Sequence, residues 1–142
     1  VRLDDARVAR LATVAEDGQP HIVPVTFAAR DDVIVIAIDH KPKSTRDLKR
    51  LRNIRANAKV SLLVDHYDED WRQLWWIRAD GTARITETTA RRAWLIEKYP
   101  QYQDIPPEGP FILIDVTKTT SWSGGGPGLE HPPGDGGRPG QP

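Results

Sequence analysis

Residues 8–38, VARLATVAEDGQPHIVPVTFAARDDVIVIAI, decide the fold class of this chain. Residues 8–14 are compact and apolar, and EDGQ at 16–19 supplies a turn signal. In HIVPVTFAA, Ile22, Pro24, Thr26 and Ala28 alternate with Val23, Val25 and Phe27, the period of a strand with two unlike faces. Arg30-Asp31-Asp32 breaks the run. VIVIAI at 33–38 is mostly β-branched and short, the pattern of a buried strand. Three strands joined by tight turns predict an antiparallel meander.

Downstream the pattern changes. KPKSTRDLKRLRNIRANAK (41–59) has helical spacing: Leu48, Leu51, Ile54 or Arg55, and Ala58 fall on one stripe, with Ser44 or Thr45 as N-cap. VSLLV (60–64) returns to strand. After the polar DHYDED (65–70) comes WRQLWWIRADGTARI, a long strand with a bend or bulge expected at Asp80-Gly81. TTARRAWLIEKY (88–99) reads as a second helix, capped by Thr88 or Thr89 and ended by Pro100. The last strand is expected at 110–116, with Phe111 and Leu113 alternating against Ile112 and Ile114. The order βββ-α-ββ-α-β lacks regular βαβ alternation. It predicts a mainly β (α+β) fold: a small, partly open barrel of about six strands and two helices.

The totals agree with one domain. The chain has 142 residues, and from Ser123 onward only Leu129 is apolar. We expect a folded domain over 1–122 and a disordered Gly/Pro-rich tail over 123–142. There is no Cys, which excludes disulfides, thiolate metal sites and a Cys nucleophile. No run approaches 18 apolar residues, and VRLDDARVAR carries no signal-peptide core, so a soluble cytoplasmic protein is expected. The first residue is Val rather than Met, which fits a processed or cut start, or a Val-reading start codon.

Lys and Arg number 20, as do Asp and Glu, yet residues 41–59 hold eight bases and one acid, Asp47. A solvated helix face would account for this. So would an anion: nucleic-acid phosphate, an acidic lipid surface, or a small phosphorylated ligand. Two details favour the small ligand. Lys41, Lys43, Ser44 and Thr45 precede the helix, where backbone N–H groups and the helix dipole already attract an anion. Charge then continues through Arg46, Lys49, Arg50 and Arg52 far enough to meet a second negative group. Outside the stretch, acids outnumber bases 19 to 12, unlike the overall basic domain of a nucleic-acid binder. No nucleic-acid or membrane partner is expected.

Trp71, Trp75 and Trp76 cluster. Trp75 and Trp76, adjacent on a strand, must point to opposite faces, so only one can enter the barrel. The other covers a subunit interface, a flat ligand, or both. His66 with Asp65, Asp68, Glu69 and Asp70 lacks an i, i+4 pair or a second His, and reads as a polar loop with no metal. His21 reads as a solvent-facing strand residue or one near the site. No nucleophile triad or carboxylate pair is spaced for catalysis, so the catalytic residues are unassigned.

RVARLATVAEDGQPHIVPVTF (7–27), followed by RNIRANAKV (52–60), resembles the pyridoxamine 5′-phosphate oxidase-like split β-barrel family. The likeness is strongest to the actinobacterial branch that uses the deazaflavin coenzyme F420 in place of FMN. DHYDEDWRQLWWIRADG (65–81) resembles one subgroup of that branch, and the likeness spans about residues 7–122. It implies a homodimer with a cofactor site at the subunit interface, and an F420-dependent oxidoreductase acting on a small conjugated substrate. The alternatives are an FMN-dependent oxidoreductase and a non-catalytic carrier of cofactor, haem or another flat ligand. Lys49, Arg50 and Arg52 fall where the family binds phosphate, supplemented by Lys41, Lys43, Ser44 and Thr45. Pro24, Val25 and Thr26 match the strand whose backbone runs beside the ring, and Trp76 and Trp122 are candidates to pack on it. Hydride transfer at carbon C5 would belong to the coenzyme, with the protein supplying position and electrostatics. Two departures stand out: Ala58 occupies a position often held by Pro, and the basic C-terminal segment of true pyridoxamine phosphate oxidases is missing. Oxidation of pyridoxamine phosphate is not expected.

Overall fold

The computed structural model describes residues 2–38 and 48–125. Seven strands form one antiparallel sheet: β1 (Ala9–Val14), β2 (Pro20–Val25), β3 (Ala28–Arg30), β4 (Val33–Ala37), β5 (Lys59–His66), β6 (Trp75–Thr86) and β7 (Phe111–Ser123). The helices are α1 (Lys49–Ala56), α2 (Arg92–Lys98) and α3 (Pro100–Asp104), with single 3₁₀ turns at Leu3–Asp5 and Trp71–Gln73. The sheet order is β2-β1-β5-β6-β7-β4-β3.

That order replaces the expected meander. The run 21–29 is broken after Val25, and its halves pair with different neighbours: β2 with β1, and β3 with β4. β2 and β3 thus lie at opposite edges of the sheet, although only Thr26 and Phe27 separate them. Three Cα steps reach at most about 11 Å, while a flat seven-stranded sheet would part its edges by about 29 Å. The sheet must therefore curl until its edges meet. This is a split β-barrel, with one strand and one helix more among the described residues than the sequence reading gave. Pro20 and Pro24 cannot donate to a ladder and are tolerated in β2 because it is an edge.

Turn chemistry sets the hairpins. Gly18, at φ 87°, takes the left-handed position between β1 and β2 and donates to the Ala15 carbonyl at 2.8 Å. Asp31 and Asp32, at φ 52° and 61°, form the two-residue turn between β3 and β4. The Asp32 carbonyl accepts from Val116 N–H at 2.9 Å, which ties that turn to β7.

The core explains why two strands read as unbroken apolar runs. Ile34, Ile36, Ile112 and Ile114 point into the barrel with Leu11, Phe27, Leu62 and Val64. On the other side of the same strands, Val35, Ala37, Phe111 and Leu113 pack against Leu95 and Tyr99 of the α2 segment. Both faces of β4 and β7 are buried, so alternation by polarity disappears there. α1 closes one barrel end: Leu51 and Ile54 join the core, and buried Asn53 donates to Thr13 Oγ1 at 3.0 Å. Leu48 stands at the α1 N-cap with extended backbone; Ser44 and Thr45, the expected caps, lie outside the described residues. Pro100 does not simply end the second helix; it opens α3 at a first-turn position, where its missing N–H costs nothing.

The bulge expected at Asp80-Gly81 is present. Register with β7 slips between Asp80↔Lys118 and Gly81↔Val116, and Thr117 Oγ1 donates to the Asp80 carbonyl at 3.1 Å. A Cβ at Gly81 would collide with the Asp115 carbonyl oxygen and sit 2.8 Å from Ile114 Cγ2. Gly81→Ala must push two buried strands apart, and we expect a loss of about 2–3 kcal/mol. A chemical-denaturation midpoint equal to wild type would show that the strands separate freely.

The boundary expected at 122/123 falls at the last residue of β7. The strand continues seven residues past the expected Val116, and Gly124 N–H donates to the Leu74 carbonyl at 2.8 Å. Residues 126–142, the rest of the expected tail, lie outside the described residues. Among the described residues, no helix is long and apolar enough to cross a membrane.

Candidate functional site

Facing residues of an antiparallel ladder share a side of the sheet, so the register fixes which expected site residues meet. Pro24 faces Arg10, Arg10 faces Leu63, Leu63 faces Arg78, and Arg78 faces Thr120. Two residues along, Asp65, Trp76 and Trp122 form the neighbouring row. Pro24, Trp76 and Trp122 therefore share the outer face of β2-β1-β5-β6-β7. Trp75, as opposite parity requires, packs on the barrel core and stacks on His66 with ring centroids 6.0 Å apart.

No described helix crosses this outer face, because α1 plugs a barrel end and α2 lies over β3 and β4. It is apolar in parts: Ile22 is 66% exposed. It also holds a half-buried ion pair, Arg78 Nε to Asp80 Oδ1 at 3.3 Å, and Ser61 Oγ donates to the same oxygen at 2.6 Å.

At the barrel end opposite α1, a cavity of about 990 Å³ opens where β4 and β7 part after Asp115. Trp75 faces it from the inward side of β6, and Trp76 and Trp122, whose side chains belong to the outer face, border it as well. Thr119, Ser121 and Ser123 line a second wall; they pair with Ala79, Ile77 and Trp75 and so face inward. The Asp31-Asp32 turn and the Leu3–Asp5 segment form the rim.

The β2–β3 break is held from behind. Tyr99 OH accepts from Phe27 N–H at 3.2 Å and lies 2.9 Å from the Arg7 carbonyl and 3.1 Å from that of Phe27, to which it donates. Thr26 Oγ1 lies 3.1 Å from Tyr102 OH. Asp4 accepts from Ala29 N–H at 2.9 Å and from Lys98 Nζ at 3.1 Å. Burial pushes the Tyr99 hydroxyl above the usual tyrosine range and the Lys98 ammonium below the usual lysine range.

The remaining expected residues scatter. Val25 is in the core at 7% exposure, leaving only its backbone for a ligand. Lys49 and Arg52 are exposed on α1, with Arg50 half-buried beside them. Among the described residues, no side chain caps the α1 N-terminus. Lys41, Lys43, Ser44 and Thr45 lie outside the described residues. His21 is half-buried rather than solvent-facing; it shares the barrel side with Thr13, and its Nδ1 has no hydrogen-bond partner among the described residues. Among the described residues, no group of three His, Asp or Glu is placed to hold a metal.

Sequence reasoning missed the hydroxyl wall and the tyrosine clamp. The last strand is expected only to Val116, although in TKTTSWS (117–123) Thr is β-branched and Thr119, Ser121 and Ser123 keep period 2. Nothing in the sequence marks Tyr99 as more than a helix residue.

A search of the solved structures finds the same architecture. An FAD-binding protein from Mesorhizobium loti is 23% identical, with 84% of this chain and 87% of that one covered and a TM-score of 0.60. A conserved hypothetical protein from Mycobacterium tuberculosis is 22% identical over 94% and 88% of the two chains, with a TM-score of 0.66. The heme storage protein HutZ from Vibrio cholerae is 18% identical over 80% and 84%, with a TM-score of 0.59. At these identities the likeness is one of fold. No curated protein matches the sequence. The sequence profile of pyridoxamine 5′-phosphate oxidase matches residues 2–123, which takes in every described strand and helix. By that match, and by a sheet that curls as a split barrel, this chain belongs to the pyridoxamine 5′-phosphate oxidase family.

Proposed function

We propose that this chain is an F420-dependent oxidoreductase that works as a cytoplasmic homodimer, with the coenzyme held between the outer sheet face of one protomer and its partner. The observation that carries this reading is the shared face of Pro24, Trp76 and Trp122, combined with a basic helix at the far end of the barrel. α1 leads into β5 at Lys59, opposite Thr82, while Trp76 lies six residues back along β6. At strand rise that is about 20 Å, so a ligand using both ends is elongated. A flat ring at the tryptophan end and an acidic arm at the helix end match a deazaflavin with its phosphate and glutamates better than they match the shorter FMN.

The donor set fits such a group. Leu48 at the N-cap of α1 has no polar side chain to cap the first-turn N–H groups, and Lys49 and Arg52 are exposed beside them. When bound, the coenzyme supplies the hydride. The chain's part would be to orient and shield: the backbone of Pro24 to Thr26 would run beside the ring, the half-buried Trp76 would cover it with the buried Trp122 behind, and the partner protomer would exclude water.

Two other readings have support. The FAD-binding relative from Mesorhizobium loti favours a flavin in the same place. The heme storage protein from Vibrio cholerae favours a carrier of a flat ligand. Titrating the protein with F420, FMN and hemin, followed by tryptophan fluorescence, separates them. We expect F420 to bind most tightly and to quench. Tighter FMN or hemin binding would overturn the coenzyme assignment, and binding of oligonucleotides alone would overturn the whole reading. Turnover of enones or quinones with reduced F420 then distinguishes enzyme from carrier.

A further inference from the structure

We propose that the 990 Å³ cavity at the barrel end opposite α1 is a second ligand site, on the other side of the sheet from the coenzyme face, and that it takes planar molecules carrying no charge or a positive one while rejecting anionic and phosphorylated ones. Its ligand chemistry follows from the cavity alone.

The walls set the shape. Trp75, on the inward side of β6, gives an aromatic surface for a flat ring. Beside it on the same side of the sheet, Thr119, Ser121 and Ser123 are exposed hydroxyls spaced two residues apart on β7, because β4 pairs with that strand only as far as Asp115. Such hydroxyls donate to carbonyl oxygens along the edge of a conjugated ring without requiring charge.

The rim sets the sign. Its two arginines are turned to other partners: Arg30 pairs with Glu97 and lies over the Trp94 ring, and Arg2 pairs with Asp5. Asp4 is likewise taken up by Lys98. Asp31 and Asp32 are left as the rim's acids, held by a left-handed turn that the Val116 N–H pins to β7. The basic helix lies at the other barrel end, so the two ends are opposite in sign. An anionic coenzyme arm is drawn to one, and a phosphorylated ligand is repelled from the other.

The test uses one ring with three charges: a naphthoquinone, its trimethylammonium derivative and its sulfonate, titrated against the full chain by tryptophan quenching. We expect the sulfonate to bind at least tenfold more weakly than the ammonium compound. Asp31→Asn/Asp32→Asn, which keeps residues that tolerate the left-handed turn, should shrink that ratio at least threefold and leave the neutral quinone unchanged. Ser121→Leu, which fills the cavity from an exposed position, should weaken all three. The ligand class is overturned if the sulfonate binds as well as the ammonium compound, and the site is overturned if Ser121→Leu changes none of them. Failure of both F420 and FMN to bind while the charge ranking holds would remove the coenzyme reading and support this cavity as a binding site.

Discussion

Lys49→Ala/Arg52→Ala lowers the affinity for F420 by about 100-fold at moderate salt. Each side chain contributes a charge-assisted contact to a phosphate or carboxylate, worth about 1.5–3 kcal/mol. Both are exposed, so screening puts them at the low end of that range, and two together come to about 3 kcal/mol, or two orders of magnitude. The same exposure means the fold should not notice: surface substitutions of this kind change stability by about 0.5 kcal/mol or less. A second signature separates coenzyme contact from general charge. Wild-type affinity should fall steeply as salt rises, and the double variant should have a visibly flatter dependence. FMN, with one phosphate and no glutamates, should lose less than F420. If F420 affinity is unchanged in a variant that melts like wild type, the basic helix is a solvated face and the anion lies elsewhere.

What could be read from the sequence follows what alternation encodes. Strands with one face on the core, such as β1 and β5, announce themselves, and so does the Gly81 bulge, because only glycine fits against the Asp115 carbonyl. Sheet order was not legible. The continuous alternation of residues 21–29 gives no sign that Thr26 and Phe27 cross from one sheet edge to the other, since the groups that stabilise the crossing sit more than 70 residues away on Tyr99 and Tyr102. The candidate site divides in the same way. The aromatic members stood out by residue type, and parity correctly separated Trp75 from Trp76. The hydroxyl wall was hidden, because a strand with one free edge facing a cavity has the composition of a loop. The acids of the rim looked like a turn, which they are; their second role comes only from where β7 lies.

The crossing itself carries the other large effect. Tyr99→Phe should destabilise the protein by about 2–4 kcal/mol while leaving the ring packed in place. Phe27 is fully buried, and its N–H has the Tyr99 oxygen as its partner at 3.2 Å. Removing the hydroxyl strands that donor and takes the phenolic proton from the Phe27 and Arg7 carbonyls; each buried polar group left unmet costs about 1–3 kcal/mol. Tyr102→Phe is the control, since its partner Thr26 is only part-buried and can turn to water, and about 1 kcal/mol or less is expected. The pH dependence tells hydroxyl loss from ring repacking. Tyr99 is raised above its ordinary value of 10.0, by burial first of all. A folded pKa above the unfolded one means that the hydroxyl's contribution is whole below pH 10 and is lost as the pH climbs through the folded value, because the unfolded chain gives up the proton first. Tyr99→Phe has no such proton. The gap between wild type and Tyr99→Phe should therefore be constant from pH 6 to 9 and narrow above 10, while the lowered Lys98 is present in both proteins and cancels from the difference. Urea midpoints measured across that range test it. A gap that stays constant above pH 10, or a variant as stable as wild type at pH 7, would mean that something other than this hydroxyl holds the two edges of the barrel together.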